Sequence, residues 1–265
     1  MSTLVCLHAH PDDEAIATAG LMAKASADGH RVVLVIATNG EHGLEPADGL
    51  DPGETLAERR MAETHASAAL LGVHRVEFLG YCDSGMDGDE ANHEPGSFWQ
   101  ADVEAASAAL AELLTAEVAD VLTVYDPHGG YGHPDHIQVH RVGTRAAEIA
   151  GVEAVYWATM NRDAIRKQMI ENAELLESPD DVESTDGPVD PESFGTPEAE
   201  ITHAIAVGPW IEAKREAMRA HGSQITEETF FLQLPQDMFE QVFGTEWFVA
   251  PGTSRTGPFE TSLFT

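Results

Sequence analysis

TLVCLHAHPDDEAIATAGLMAKASADGHRVVLVIAT, residues 3–38, is the stretch that decides the fold. Thr3 to Ala9 is an apolar run of strand length, Glu14 to Ala27 has the spacing of a helix ended by Gly29, and Arg31 to Thr38 is a second, β-branched apolar run. Two buried strands joined by a helix make a βαβ unit, which implies a parallel pair and a right-handed crossover. The pattern then repeats outward. A glycine- and acid-rich loop, Asn39 to Gly53, leads to an amphipathic helix from Thr55 to Leu71, stopped by Gly72, and to a strand from Arg75 to Leu79. The polar stretch Tyr81 to Ser97 leads to an Ala/Leu-rich helix, Asp102 to Thr115, and to a strand at Val121–Tyr125; Pro134 opens a further helix that Gly151 ends. The expected fold is α/β: a Rossmann-like three-layer αβα arrangement around a mostly parallel sheet, with a C-terminal elaboration.

The 265 residues suit one such domain. Residues 1–160 are expected to form the Rossmann-like catalytic core and 161–265 the C-terminal part of the same domain. In that part, Arg162 to Leu176 reads as helix, 177–200 as an acidic surface loop rich in Pro, Ser and Gly, Pro209 to Ala220 as helix and Trp247 to Ala250 as strand. The last dozen residues, polar with scattered Phe, read as a tail that docks on a neighbour or frays.

Forty-six acidic against fourteen basic residues give a net charge of −32. Such a surface repels phosphate backbones and anionic lipid, so nucleic acid and membrane are poor partners and a neutral or cationic small molecule suits it better. The plainest role of the acidity itself is solubility. No run of about 18 apolar residues occurs, and the N-terminus runs straight into a strand without a basic, cleavable leader, so a soluble cytoplasmic protein is expected. Cys6 and Cys82 fit no disulfide framework and read as reduced thiols. A homo-oligomer is allowed for.

The chemistry concentrates in two clusters, Ala9-His10-Pro11-Asp12-Asp13-Glu14 and His133-Pro134-Asp135-His136. Each follows a strand, and in open parallel sheets ligands bind beyond the carboxyl ends of strands where the strand order reverses. Imidazole and carboxylate are ligands for borderline divalent ions, and a catalytic site needs about three of them with a position left open for water. His10, Asp13 and His136 are the expected ligands of a zinc ion, with iron(II) or another divalent metal as alternatives. Asp12 is then left beside the metal as general base, and His133 faces the substrate as general acid or oxyanion partner. Asp135 either holds the His133 ring in one tautomer or is a helix N-terminal acid favoured by the macrodipole. Glycines 129, 130 and 132 permit tight turns before the second cluster. His140, one turn beyond His136, reads as an amphipathic-face residue rather than a fourth ligand, His8 and His128 as flanking residues, and His221 as a residue that closes the pocket from the C-terminal part.

These two clusters resemble the zinc-dependent N-deacetylases of the PIG-L (LmbE-like) family. The longer string from Tyr125 to His136 is similar to an actinobacterial branch that contains the mycothiol-pathway deacetylase and the mycothiol S-conjugate amidase, and Lys214 to Gln224 echoes that branch again. The resemblance implies an LmbE-like fold, ligands His10, Asp13 and His136, base Asp12 and partner His133. It further implies that Tyr131 on a movable loop donates to the carbonyl oxygen, and that Arg60, Asp83 and Glu41 bind the sugar. The implied reaction is removal of acetate from an N-acetylglucosamine-type sugar, a small-molecule N-acyl substrate; cleavage of thiol-sugar S-conjugates is the runner-up. A phosphoesterase would want more ligands and cationic clamps, and a non-enzymatic sugar-binding protein would have no use for Asp12.

Overall fold

The apolar runs that open the chain do make a parallel pair. β1 (Thr3–His8) lies beside β2 (Arg31–Thr38), with Thr3 opposite Arg31 and His8 opposite Ile36. The computed structural model describes residues 1–46, 49–171 and 194–264. β3 (Arg75–Tyr81), β4 (Val121–Tyr125) and β5 (Ala154–Thr159) extend the parallel sheet, and β6 (His203–Ala206) and β7 (Thr245–Val249) add two antiparallel strands at one edge, in the order β3-β2-β1-β4-β5-β7-β6. The order reverses between β1 and β4, and the crevice beyond their carboxyl ends receives both His/Asp clusters.

Every residue of β1 is buried, as expected of a strand covered on both faces. Its side chains alternate between two cores: Leu4 and Cys6 join Leu34, Met218 and Phe248 on one face, while Val5 and Leu7 join Val35, Leu110 and Val142 on the other. The second face is covered by α4 (Val103–Ala116) and α6 (Pro134–Ala150). Gly143 lets α6 approach the sheet, since a Cβ there would lie 2.3 Å from Val124 Cγ1. On the first face, α3 (Leu56–Leu70) begins with a capping box between Thr55 and Glu58.

The helix expected over Glu14–Ala27 is two helices, α1 (Asp13–Ala17) and α2 (Ala19–Ala27), broken at Thr18 (φ −137°, ψ 10°). Thr18 turns its hydroxyl to His8 Nε2, 2.8 Å away. The start of α2 is capped from far along the chain: Glu246 on β7 accepts the N–H groups of Gly20 and Leu21, each at 2.8 Å. Lys214 balances that carboxylate from 2.6 Å, with side chains 1% and 2% exposed. Lys214 lies on α8 (Ile211–Ala220), the expected C-terminal helix, which starts two residues later than the sequence suggests because Gly208–Trp210 forms a 3-10 turn.

Three features of the C-terminal part differ from expectation. β6 and two short helices, α9 (Phe230–Gln233) and α10 (Gln236–Phe243), were not expected, although α10 carries a helical apolar stripe that buries Phe239 and Phe243. Most of the 177–200 loop lies outside the described residues, as does the end of the helix expected to Leu176, of which α7 (Arg162–Glu171) is described. The described end of that loop is not a plain surface segment: Phe194 and Thr196 are buried, and Gly195 N–H donates to Gly130 O at 2.7 Å. The tail does not fray, because Leu263 is buried and Phe264 stacks on His30 with ring centroids 3.9 Å apart. Among the described residues no helix is long and apolar enough to cross a membrane, and Cys6 and Cys82 are free thiols.

Candidate metal centre

The first cluster follows the end of β1 at His8, and the second leaves β4 through α5 (Gly129–Gly132), a single turn, to enter α6 at Pro134. Gly129 has φ 65°, and a Cβ there would lie 2.6 Å from His136 Cβ, so the turn before α6 admits only glycine. Asp126 shapes the same turn by accepting the N–H groups of His128 and Gly130 at 2.9 and 3.0 Å. His136 stacks flat on Tyr125, with centroids 4.3 Å apart. The Tyr125 hydroxyl and His8 Nδ1 in turn lie 2.8 Å apart.

These elements bring His10, Asp13 and His136 together. Asp13 Oδ2 lies 3.3 Å from His10 Nδ1 and 3.3 Å from His136 Nε2. Two ligands held about 2.1 Å from one tetrahedral ion sit about 3.4 Å apart, a spacing that both Asp13 separations match, while the donor groups lying within 4.8 Å of one another among the described residues are His10, His133 and His136, and His10, Asp83, His133 and Asp135. Asp135 strengthens the fit. Its fully buried carboxylate accepts His10 Nε2–H at 3.1 Å and Ser84 N–H at 2.8 Å, and the Ser84 hydroxyl donates to its other oxygen. That contact leaves the Nδ1 lone pair of His10 facing Asp13, the carboxylate–histidine arrangement typical of metal ligands. Burial opposes charge on His10, yet Asp13, Asp135 and Asp83 together hold its pKa well above the usual histidine value. Burial would likewise raise Asp13, but His136 and His10 hold it well below the carboxylate range. Carboxylates crowded this closely against imidazoles are the environment a cation neutralises.

Asp135 does sit in the first turn of α6, as one of the two sequence expectations has it, but its carboxylate is hydrogen-bonded to His10 and Ser84, and it lies within 4.8 Å of a His133 ring nitrogen without a hydrogen bond to it among the described residues. The tautomer of His133 is set instead by the Asp135 backbone N–H, which donates to His133 Nδ1 at 3.1 Å and leaves the proton of the neutral ring on Nε2. Burial, then His10 and His136, push the His133 pKa down to about 4. Its ring meets that of His10 edge to face at 4.5 Å. Nitrogens of His10, His133 and His136 lie within 4.8 Å of one another.

Asp12 is half-buried beside the ligands, and Arg60 Nη2 donates to its Oδ2 at 3.1 Å. Burial pushes the Asp12 carboxyl up to about 6, against the opposing pull of Arg60. Arg60, 4% exposed, is no solvated surface residue: its guanidinium also donates to Gly40 O and Pro11 O, each at 2.6 Å, while its Nε has no partner among the described residues. Asp83 is buried with Oδ1 3.5 Å from His10 Nε2, and Glu41 presents a buried, unpartnered Oε2 beside the Cys82 thiol, which it holds above the usual thiol value. Tyr131 is 47% exposed, its hydroxyl 3.5 Å from His136 Nε2.

The flanking histidines divide. His140 donates or accepts toward no ligand; its Nδ1 bonds Tyr125 O at 2.9 Å. His128 is exposed, whereas His221 is fully buried against Glu14 Oε1 at 2.6 Å. Glu14, Ser84 and Asp126 escaped the sequence reading, because their roles lie in what they hold rather than in a ligand-type spacing.

A Rossmann-type α/β sheet with a buried His/Asp cluster at its strand-order reversal, and the Arg60-paired carboxylate of Asp12 beside it, has the donor chemistry of a metal-dependent hydrolase. A family model described as PIG-L: GlcNAc-PI de-N-acetylase matches residues 5–147, and the chain belongs to this family. It is 39% identical over 260 residues to a 1D-myo-inositol 2-acetamido-2-deoxy-alpha-D-glucopyranoside deacetylase from Acidothermus cellulolyticus, covering 93% of this chain and 88% of that one. Among solved structures it is similar in fold to a conserved protein, TT1542, from Thermus thermophilus, with a TM-score of 0.64, 20% identity and coverage of 99% and 100%. It is also similar to N,N'-diacetylchitobiose deacetylase from Pyrococcus horikoshii, with a TM-score of 0.55, 22% identity and coverage of 95% and 84%.

Proposed function

We propose that this protein hydrolyses the acetamide of an N-acetylglucosamine-type sugar conjugate, using a divalent metal held by His10, Asp13 and His136. The observation that carries the reading is the meeting of His10 and His136 at Asp13 Oδ2, 3.3 Å from each, with Asp12 held by Arg60 beside them. The family membership and the 39% identical deacetylase support the same substrate class. An ion in that site, which we assign as zinc with iron(II) as the alternative, supplies Lewis acidity toward water and the acyl oxygen.

The chain's own groups do the remaining work. Asp12, raised to about 6, suits a base that takes the proton of the attacking water and then returns one to the leaving amine. His133, neutral with its proton on Nε2, donates a hydrogen bond to the developing oxyanion. The Tyr131 hydroxyl, 3.5 Å from His136 Nε2 and kept protonated because desolvation and Asp13 raise its pKa, is a second donor to that oxyanion. Glu41 and Asp83 offer carboxylate oxygens to sugar hydroxyls, and Arg60 serves that subsite indirectly by clamping Asp12 to the Gly40 turn. A cytoplasmic site of action accords with the two free thiols.

The test is acetate release from N-acetylglucosamine glycosides and from thiol-sugar S-conjugates, measured side by side before and after chelation and after metal is restored. Turnover of the glycosides that vanishes on chelation and returns with the metal is expected. Undiminished turnover by metal-free protein overturns the reading, and exclusive turnover of S-conjugates replaces the acetamide by the bulkier amide.

A further inference from the structure

Asp12 occupies a backbone conformation, φ 109° and ψ −29°, that residues bearing a Cβ avoid. Such a conformation persists only where its surroundings over-determine it. Its carbonyl accepts Ala15 N–H at 3.0 Å, its carboxylate accepts Arg60, and its own N–H donates to Glu14 Oε2 at 3.0 Å. The last contact depends on Glu14, a fully buried carboxylate that is tolerable only if paired.

Its partner comes from 207 positions further along the chain. His221 Nε2 donates to Glu14 Oε1 at 2.6 Å, and Ser67 Oγ donates to the same oxygen at 2.7 Å. His221 is fully buried, and its Nδ1 has no hydrogen-bond partner among the described residues. The proposed chemistry does not use it. The segment around it is pinned by Ser223 and Gln224: Ser223 donates twice to Glu63, at 2.8 and 2.6 Å, and Gln224 pairs with both backbone groups of Leu44, at 2.8 and 3.0 Å. A buried histidine so rigidly presented to a buried carboxylate that itself holds the peptide of the base has a geometry beyond what packing requires. Glu14 first, then Asp12, favour its charged form against burial, which fits an ion pair with Glu14.

We propose that His221 is a positioning residue: through the Glu14 carboxylate it locks the Asp12 peptide in its left-handed turn and so keeps the Asp12 side chain aimed beside the metal ligands. This rests on the reading of Asp12 as the base.

The experiment compares wild type, Asp12→Asn, His221→Ala, His221→Gln and the double variant Asp12→Asn/His221→Ala for acetate release from an N-acetylglucosamine glycoside, with bound metal measured for each holoenzyme. His221→Ala is expected to lower kcat about 100-fold, the scale of a base displaced by about 1 Å, with KM and metal content little changed. His221→Gln, whose amide nitrogen reaches the same Glu14 oxygen, is expected to recover most of the loss. In the Asp12→Asn background, removal of His221 is expected to add less than about twofold, since it acts through the residue already removed. A wild-type kcat in His221→Ala, a loss explained by missing metal, or a full multiplicative loss in the double variant overturns the inference. If His221→Ala does not fold, Glu14→Gln and His221→Gln are judged by the same split of kcat from KM. Wild-type activity in Asp12→Asn instead overturns the base reading itself, so the two failures are distinct.

Discussion

Removing the Asp135 carboxylate should weaken metal binding more than removing any other side chain that does not itself touch the metal. Asp135 holds His10 Nε2 at 3.1 Å and two donors of Ser84, all of them buried. Loss of the carboxylate behind a metal-bound histidine costs about 10- to 100-fold in affinity, or about 1.4 to 2.7 kcal/mol. Asp135→Ala should reach the upper end, because the His10 ring loses both its anchor and the negative charge that raises its basicity. Asp135→Asn keeps the volume and one accepting oxygen but not the charge, and should fall about midway, in line with the roughly twofold greater strength of charge-assisted hydrogen bonds. Asp83, 3.5 Å from the same nitrogen and already accepting Gly85 N–H at 2.9 Å, should matter less to the metal. The assay is competition against a chromophoric chelator at fixed pH and salt, with urea denaturation of the metal-free proteins alongside. Asp135→Ala should also be less stable by about 1–3 kcal/mol for each Ser84 donor left unpaired. An Asp135→Ala protein that folds and binds metal as tightly as wild type would refute the assignment of this carboxylate to His10.

Two further outcomes are expected. Lys214→Ala leaves Glu246 without its cation at the start of α2, and a buried pair broken on one side costs about 3–5 kcal/mol; the urea midpoint should drop accordingly, and adding Glu246→Gln should restore part of it. Glu117 accepts Arg31 Nε at 2.7 Å and Arg75 Nη1 at 2.5 Å, contacts that hold its pKa below the ordinary glutamate value. Because the folded value is depressed, the stability it contributes is present above about pH 4.3 and fades as pH falls through the folded value. Urea midpoints of wild type and Glu117→Gln should therefore separate at neutral pH and converge in acid, and parallel curves throughout would contradict this.

The parallel core was readable because its signals are local. Thr3–His8 and Arg31–Thr38 are almost wholly buried apolar runs, and glycines 72 and 151 mark helix ends where φ is positive. The break at Thr18 was not readable, since the helix-favouring run through it is overridden by a side chain from β1 and a carboxylate from β7. β6 and α9 are four residues each, too short to show a period, whereas the stripe of Phe239 and Phe243 in α10 is a local signal that a reading of Gln236–Phe243 could have found. At the candidate site, the two clusters that bring His10, Asp12, Asp13 and His136 into one place were legible from residue type and spacing. The partners that orient them were not, because a ligand's chemistry is intrinsic to its side chain whereas support depends on which distant group the chain folds against it.

Local periodicity and donor chemistry were thus enough to write the βαβ order and to pick out the His/Asp clusters at two strand ends. Three-dimensional packing alone chose that Asp135 grips His10 rather than His133, that Arg60 is spent on Asp12 and the Gly40 turn, and that His221 meets Glu14. Each of those choices is a contact between residues at least 20 positions apart, and its direction is set by rotamers and helix placement inside a packed interior, which a linear pattern does not encode.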